Sequence, residues 1–293
     1  MSGLAYHLVV NAMEGRAGWT PIARFSSAVA RSINGHLPYH RYHTAGRARK
    51  QEGIGLGVIE RLTRDWLATD LNPAVQLVRS LRQPSNALRA YNTYNASAQL
   101  GVRTNVAALR PDNAGNSPIV AKRDLLATVD DPEQCRLGTI IVADSLFGMV
   151  QRNAKARLAP EPFSLLDIAR YLGVESSAAA EVAWVFGSKG HIPIALVAQE
   201  LGCHQRTLER RLREEGLTAE SLRQSSRLIR VMGRLRSMES LTNIAIDEGF
   251  SDQAHMTRAF QTSCGMPPSV IRRLVRETNE PEITISTHDM SRA

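Results

Sequence analysis

Residues 241–272 read LTNIAIDEGFSDQAHMTRAFQTSCGMPPSVIR. Ile244, Ala245 and Glu248 fall at helical spacing, and Gly249 ends that helix where a residue without Cβ can take the left-handed turn. Ser251 is placed to cap a second helix that starts near Asp252, its hydroxyl accepting a backbone N–H. Met256 and Phe260 then lie four apart on one apolar stripe. At about 100° per residue, Ala254, Arg258 and Gln261 fall on the opposite side. Gly265 and the pair Pro267 and Pro268 end the helix. Two short helices joined by a Gly turn, the second carrying an exposed Arg, match the arrangement that sets a reading helix in a major groove. With one copy alone, an ordinary pair of packed helices is the better reading.

A second copy changes that weighing. Residues 197–223, VAQELGCHQRTLERRLREEGLTAESLR, repeat the layout. Val197, Ala198 and Leu201 pack one helix, Gly202 turns, and a helix from about Gln205 buries Leu208 and Leu212 before Gly216 breaks the chain. Opposite Leu208 stand Arg206, Arg210 and Arg213, a row of guanidinium groups interrupted by Glu209. A merely solvated face would mix Lys with Glu, whereas three Arg after a Gly turn suit phosphate and guanine. The two turn glycines are 47 residues apart, and Arg223 and Arg272, at the far ends of the copies, are 49 apart. Between the copies, residues 219–238 read as one long helix with Leu222, Leu228, Ile229, Met232 and Leu235 apolar and Arg223, Arg227, Arg230, Arg234 and Arg236 around them. Gly233 within it marks either a bend or a close crossing.

These motifs resemble the AraC/XylS transcription regulators. The pattern IAxxxGFSDQxHxxRAF followed by GxxPxxxR stands here as Ile244, Ala245, Gly249, Phe250, Ser251, Asp252, Gln253, His255, Arg258, Ala259, Phe260, Gly265, Pro268 and Arg272. LGxxxRTLxRRL, the family's first helix-turn-helix, stands as Leu201, Gly202, Arg206, Thr207, Leu208, Arg210, Arg211 and Leu212. The likeness spans residues 175–276, about a third of the chain. There are departures: His204 holds the usual Ser cap position and caps weakly, while Met256 replaces a common Phe and Ile271 a common Tyr.

The resemblance implies a mainly α protein with a carboxyl-terminal all-α double helix-turn-helix domain at 175–276. Its first motif is expected at about 193–215, the connecting helix at 219–238 and its second motif at 241–263. An amino-terminal α+β domain of effector or dimerisation type would cover 1–165, and 277–293 would be a flexible tail. The implied function is sequence-specific transcription regulation, activation more often than repression, with the connecting helix holding two readers in successive major grooves about 34 Å apart. Arg to guanine and Gln to adenine are the pairings geometry favours. Arg206, Arg210, Gln253, His255 and Arg258 are therefore expected at base edges, and Thr207, Arg213 and Thr257 at phosphates. Glu209 and Ala254 complete the DNA-facing set. Implied partners are double-stranded promoter DNA and RNA polymerase, with a small-molecule effector and a homodimer through residues 140–158 left open. No cofactor and no metal is expected.

Bulk properties agree. Of 36 basic residues only Lys50, Lys122, Lys155 and Lys189 are lysine, and the net charge is +8. Residues 189–276 hold 14 basic against 9 acidic side chains, more than half of the excess, as a polyanion partner would favour. Arginine preference also follows genome base composition, so charge alone decides little. Cys135, Cys203 and Cys264 have no CxxC spacing, which argues against a disulfide framework or zinc site. The first residues lack the basic start of a signal peptide, and the apolar run 140–150 is cut by Asp144. A bacterial cytoplasmic, nucleoid-associated protein is the expectation, with no membrane partner.

Residues 1–160 carry weaker signals. Tyr6 to Val10 suits a strand, and Pro21 to Ile33 fits either a strand pair or a helix. Residues 35–53, polar and broken by Gly35, Pro38 and Gly53, read as a loop. Its His36, His40 and His43 invite a metal reading that the breakers and the lack of nearby acids other than Glu52 disfavour. Residues 57–71 are amphipathic with Ile59, Leu62, Trp66 and Leu67 inward, and 73–81 and 86–94 continue as short helices. Residues 97–109 alternate as strands do, 111–118 form a turn, and 138–158 a helix ending in Arg152, Lys155 and Arg157. Residues 86–106 weakly resemble the helix-then-strands part of some effector or dimerisation domains attached to the family. Residues 164–174 mimic the IAxxLG turn again, but the following SAAAEVAWVF (177–186) has no basic residue and reads as a buried packing helix; 187–190 would turn, with Pro193 starting the next helix.

Two other classes were weighed. An enzyme bearing this module as an appendage, as in some DNA-repair alkyltransferases, needs a reactive Cys, yet Cys135 in EQCRLG has no His nearby. No nucleophile elbow, P-loop or dinucleotide glycine pattern is present. A protein-binding scaffold would not need two Arg-faced helices at this spacing.

Overall fold

The computed structural model describes residues 4–14, 19–81, 83–98, 102–108, 119–125, 132–156, 164–190 and 192–277. The chain opens on β1 (Leu4–Tyr6) and α1 (His7–Glu14), then α2 (Pro21–Ile33), β2 (His36–Pro38), α3 (Tyr39–Gln51), α4 (Leu56–Thr69), α5 (Pro73–Arg79) and α6 (Pro84–Ala98). β3 (Val102–Ala108), β4 (Ile119–Leu125) and α7 (Glu133–Ala156) follow. The rest is helical: α8 (Leu165–Leu172), α9 (Ala178–Lys189), α10 (Ile194–Glu200), α11 (Gln205–Glu214), α12 (Ala219–Arg234), α13 (Leu241–Asp247), α14 (Gln253–Cys264) and α15 (Pro268–Glu277). The protein is mainly α, as expected. Among the described residues, sheet is limited to two antiparallel ribbons: β1 with β2, Tyr6 opposite His36, and β3 with β4, Val102 opposite Leu125.

Several segments differ from their sequence reading, each for a physical reason. Tyr6 to Val10 is not a strand: β1 stops at Tyr6, and Leu8, Val9, Val10 and Met13 are buried on α1, where packing against α4 and α7 overrides β propensity. Residues 35–53 are not a loop but β2 and α3. Pro38 sits at the helix N-cap, where its missing N–H costs nothing. Gly46, inside α3, lies where a Cβ would strike Cys135 Sγ and Pro132, so it lets α3 approach α7 closely. Pro21 to Ile33 resolves as a helix, with Thr20 capping Ala23 N–H at 3.3 Å and Phe25, Ala28, Val29 and Ser32 buried along one stripe. α7 begins five residues before 138, and Gly138 is internal to it because α1's Met13 packs there. α9 continues through 187–189, and only Gly190, at φ 73°, leaves the helix. α12 ends at Arg234, four residues short of 238, where Ser237 N–H turns back to Arg234 O and Ser240 caps α13. The expected turn at 111–118, Arg157 and the tail 278–293 lie outside the described residues.

α7 is the hub of the amino-terminal part, packed by α1, α3, α4, α5 and α6. Its Val142, Ala143, Leu146, Phe147 and Val150 are buried within the chain. α6 grips β3 through one side chain: Asn92 donates to Val106 O at 2.9 Å and accepts from Val106 N–H at 2.8 Å.

The two apolar cores do not follow the chain's order. One joins α1 and α3–α7 to Leu228, Val231 and Met232 of α12, to Leu235 just past its end, and to α13–α15. The other joins Phe25, Ala28 and Val29 of α2 to α8–α11 and to Leu222 and Ile229 of α12. Where they meet, a buried polar junction binds early residues to late ones. Asn72, fully buried, caps α5 at Ala74 N–H (3.0 Å) and donates to Arg31 O (2.9 Å) and Ser263 O (2.8 Å). Ser32 donates to Val29 O at 2.7 Å and lies 2.6 Å from Ser225 Oγ, while Ser263 donates to Ser32 O at 2.5 Å and accepts from Gly35 N–H at 2.9 Å. Every one of these groups finds a partner inside, which is the condition for burying them at all.

Candidate nucleic-acid interface

The two copies fold through the same turn. In the first, Gly202 (φ 63°) follows α10, and Cys203 N–H closes on Ala198 O at 3.0 Å. In the second, Gly249 (φ 77°) follows α13, and Phe250 N–H closes on Ala245 O at 2.8 Å. Donors and acceptors are thus each displaced by 47 residues, and the left-handed glycine makes both closures accessible. Val197, Ala198, Leu208 and Leu212 are buried under one turn; Ile244, Ala245, Met256 and Phe260 are buried under the other.

α11 presents its outer face in the order the spacing implies. Arg206, Arg210 and Arg213 are exposed, while Thr207 and Glu209 are half-buried. Arg210 pairs with Glu214 at 3.0 Å, one turn on, and Arg213 Nε donates to Glu209 O at 3.2 Å. Glu209 also accepts from Gln205 Nε2 at 2.7 Å, so its carboxylate orients a neighbour on the helix rather than standing free. Arg206 makes no ion pair among the described residues. His204 is the N-cap but gives no side-chain cap bond, in line with a weak cap.

On α14 the cap differs from expectation. Asp252, not Ser251, holds the first turn, accepting from His255 N–H at 2.6 Å. That bond is the main reason its carboxyl titrates below its ordinary value, aided by Arg258. A carboxylate at a helix start is also favoured by the backbone dipole. Ser251 instead places Oγ 3.2 Å from His255 Nδ1, and the His255 ring stands edge-on to Phe250 at 5.3 Å. His255 is therefore half-buried and held in place. Gln253, Ala254 and Arg258 are exposed; Gln253 Oε1 accepts from Thr242 at 3.1 Å. Thr257 donates to Gln253 O at 2.9 Å, a bond to its own helix that has to open before the hydroxyl can donate elsewhere.

α12 joins the two motifs, and its ends are fastened differently. Toward its carboxyl end, Glu248 is buried and accepts from Arg230 Nε at 2.6 Å and Arg234 Nη1 at 3.1 Å. Arg234 also bonds Asp247 at 2.7 Å and Glu239; these carboxylates hold its guanidinium above its ordinary pKa. This cluster clamps α13 onto the rod. Toward its amino end, Arg223 lies 6.0 Å from the Phe186 ring and Arg227 5.7 Å from the Phe250 ring, one aromatic from each flanking bundle. Gly249 makes room for Arg227: a Cβ there would stand 3.2 Å from Arg227 Nε and Nη2.

The third turn signature is not a reader in this arrangement. Glu215 accepts from Ala178 N–H at 2.7 Å and Ala179 N–H at 2.9 Å, occupying the start of α9, and Arg211 pairs with Glu181 at 3.0 Å. Ala178 to Ala180, Val182, Ala183, Val185 and Phe186 are buried. α9 packs against α8, α11 and α12. His36 is turned inward to Thr262 O, 3.0 Å from Nδ1, while His40 and His43 lie on α3. Three residues outside the expected DNA-facing set are fixed beside it: Asp252, Arg223 and Arg227. Asp252 was legible as a carboxylate three residues before a helical N–H it could reach; the two arginines had only their spacing of four on a rod otherwise read for its apolar stripe.

Residues 197–274 match the family model of a helix-turn-helix domain, of the AraC type. No curated protein matches the chain. Among solved structures, the transcriptional regulator CdpR from Pseudomonas aeruginosa is similar at 16% identity, over 88% of this chain and 99% of that one, with a TM-score of 0.32.

Proposed function

We propose that this chain, a DNA-binding transcription regulator by its AraC-type helix-turn-helix domain, reads one specific site by seating α11 and α14 in successive major grooves. The observation that carries the reading is the repeated turn. Two helices in equivalent frames expose Arg206, Arg210 and Arg213 on one side and Gln253, Ala254 and Arg258 on the other, joined by a rod clamped at both flanks. Arg206, Arg210, Gln253, His255 and Arg258 are the proposed base readers; Arg213, Thr207 and Thr257 are proposed phosphate partners, with Glu209 orienting Gln205. The ion pair of Arg210 with Glu214 is exposed and weak, so guanine can replace it.

Capture of genomic DNA by the purified chain supplies the site and its half-site spacing. On that site, Arg210→Ala should lose about 1–3 kcal/mol, roughly 5- to 150-fold, while binding to a scrambled duplex falls far less. Equal losses on both duplexes would show that Arg210 does not read bases. Activation rather than repression, with RNA polymerase as protein partner, is the role proposed with it; transcription in vitro from a captured promoter tests both. For an effector, the amino-terminal part offers a cavity of about 420 Å³ between α1 and α3, bordered by Trp19, Arg49 and Glu52. A melting-temperature screen against small molecules tests that site. Homodimerisation would need a surface other than the buried residues of α7, and sedimentation of the free chain decides it. A nucleoid location in a bacterial cytoplasm follows from the DNA role; imaging a tagged chain checks it. No described helix is long and apolar enough to cross a membrane.

A further inference from the structure

We propose that the outer face of α12 is itself part of the DNA interface, with Arg223, Gln224 and Arg227 holding the phosphodiester backbone between the grooves entered by α11 and α14. The proposal rests on the DNA-binding reading above and adds residues that neither helix-turn-helix motif contains.

Two cavities flank the rod. One, about 410 Å³, is bordered by Arg213 of α11 and by Glu220 and Arg223 of α12. The other, about 290 Å³, is bordered by Glu220, Gln224 and Arg227 of α12 and by Arg258 of α14. Glu220 borders both, so an open strip runs from one reader across the rod to the other. A backbone that leaves the groove under α11 and enters the groove under α14 must pass this strip.

The arginines of α12 divide into two classes. Arg230 and Arg234 are spent on Glu248, Asp247 and Glu239. Arg227 makes neither ion pair nor hydrogen bond among the described residues, and its Nε is buried without a partner. Arg223 likewise leaves Nε without a partner and, among the described residues, pairs with Glu220 alone, at 3.2 Å. Each is held against a ring, Phe186 or Phe250, so little side-chain freedom remains to be lost on binding. Nε is buried and out of reach, so it is the outer Nη donors, used by Arg223 only toward Glu220 and by Arg227 not at all among the described residues, that stand preorganised for a phosphate. The two stand one helical turn apart, about 6 Å along the axis, and Gln224 between them is exposed. Glu220 opposes the same partner: its carboxylate, half-exposed beside Arg223, repels phosphate.

The test uses the full chain, a captured cognate duplex and a scrambled one, each titrated across a range of salt. Arg223→Gln and Arg227→Gln should weaken both duplexes alike and reduce the slope of log K against log salt by about one apiece. With a slope of about 0.9 per phosphate, a fourfold rise in salt then weakens each variant about 3.5-fold less than the wild type. Arg223→Lys and Arg227→Lys should restore the slope, and Glu220→Gln should tighten binding. Loss of affinity with an unaltered slope, or failure of both Lys variants to restore it, would assign the arginines to packing and overturn the proposal. A wild type that binds duplexes while every variant matches it overturns this proposal alone; a wild type that binds no duplex at low salt overturns the regulator reading and this with it. Melting temperatures of the variants separate misfolding from lost contact, and Arg223 provides an independent readout if Arg227, which packs on the Gly249 turn, proves intolerant.

Discussion

Replacing Glu248 should matter less with leucine than with alanine. Glu248 is 1% exposed, and its carboxylate bonds Arg230 and Arg234. Removing it forfeits two charge-assisted bonds, nominally about 1.5–3 kcal/mol each. The partners soften that loss. The Arg230 and Arg234 side chains are 41% and 25% exposed, so they regain water, and Arg234 keeps Glu239 and Asp247. Discounting for that screening, Glu248→Ala, which also leaves a void, should cost about 2–3 kcal/mol. Leucine fills the volume and buries an apolar side chain worth about 1.5–3 kcal/mol, so Glu248→Leu should come within about 1 kcal/mol of the wild type. The chain holds its own control, because Leu201 occupies the equivalent place 47 residues earlier, partly buried against the α8–α11 core. At roughly 2–4 °C per kcal/mol for a chain of this size, Glu248→Ala should melt about 4–12 °C lower, with Glu248→Leu close to the wild type. An alanine variant that melts with the wild type, or a leucine variant as weak as the alanine one, would refute the view that Glu248 matters as a filled and bonded volume rather than as a bystander.

Other outcomes follow from single sites. Asn72→Ala removes the cap of α5, takes the side-chain donor from Arg31 O and leaves Ser263 O to Gly35 N–H alone, so urea denaturation should show a loss of about 2–4 kcal/mol; a loss below about 0.5 kcal/mol would mean the junction is not bonded as described. Gly249→Ala should cost more than Gly202→Ala, since both are left-handed but only Gly249 faces a crowded neighbour, Arg227, at 3.2 Å; about 1–3 kcal/mol is expected at 249, and the reverse order of melting temperatures would contradict the crowding. The Asp252 carboxyl titrates below its ordinary value in the folded chain, so the order it lends to α14 is present above the unfolded pKa near 4 and is lost as pH falls below that, through its depressed folded value. Amide exchange at His255 should speed up in that acid window in the wild type, and the window should disappear in Asp252→Asn.

What was legible in the sequence was what local chemistry decides. Gly202 and Gly249 sit where only a left-handed residue closes the turn, and Leu208, Leu212, Met256 and Phe260 repeat at helical spacing, so both motifs could be placed within a residue or two. The buried character of α9 was legible for the same reason: ten residues without a cation have no charged face to offer. What was not legible depended on partners distant in the chain. The segment 39–51 is rich in Arg and His and carries a Gly, and the use of that Gly inside a helix is visible only in the fold, where Gly46 lies against Cys135 of α7. Tyr6 to Val10 has strand composition, but beyond Tyr6 it is committed to α1 by contacts with α4 and α7. In the sequence Arg223 and Arg227 are only charges around a rod; the Phe186 and Phe250 rings they lie against come from α9 and from the second turn, 37 and 23 residues away. The cap of α14 was misplaced by one residue because Ser and Asp are both good caps, and only the reach to His255 N–H selects between them.

The rod alone does not fix the spacing of the readers. α12 carries apolar residues into both cores, but apolar contacts tolerate sliding, and a shift of a few ångströms between α11 and α14 would change the separation of their exposed faces. Directional bonds remove that freedom. At one flank Glu248 ties α13 to α12; at the other, Glu215 of the first motif holds the start of α9. Across the middle runs α2, which touches α8, α12 and α14, and its bonds are of the kind that set register: Ser26 to Gly216 O at 3.0 Å beside the end of α11, Ser32 to Ser225 on the rod, and Ser263 of α14 back to Ser32 O. Asn72 then locks the end of α2 to Ser263 and to the start of α5. A displacement of α5 or α2 relative to the rest cannot be absorbed locally, because each polar group in the junction would be left buried without a partner at about 1–3 kcal/mol apiece. The separation of α11 and α14 is therefore a property of the whole chain, and the amino-terminal helices are part of the frame that sets it.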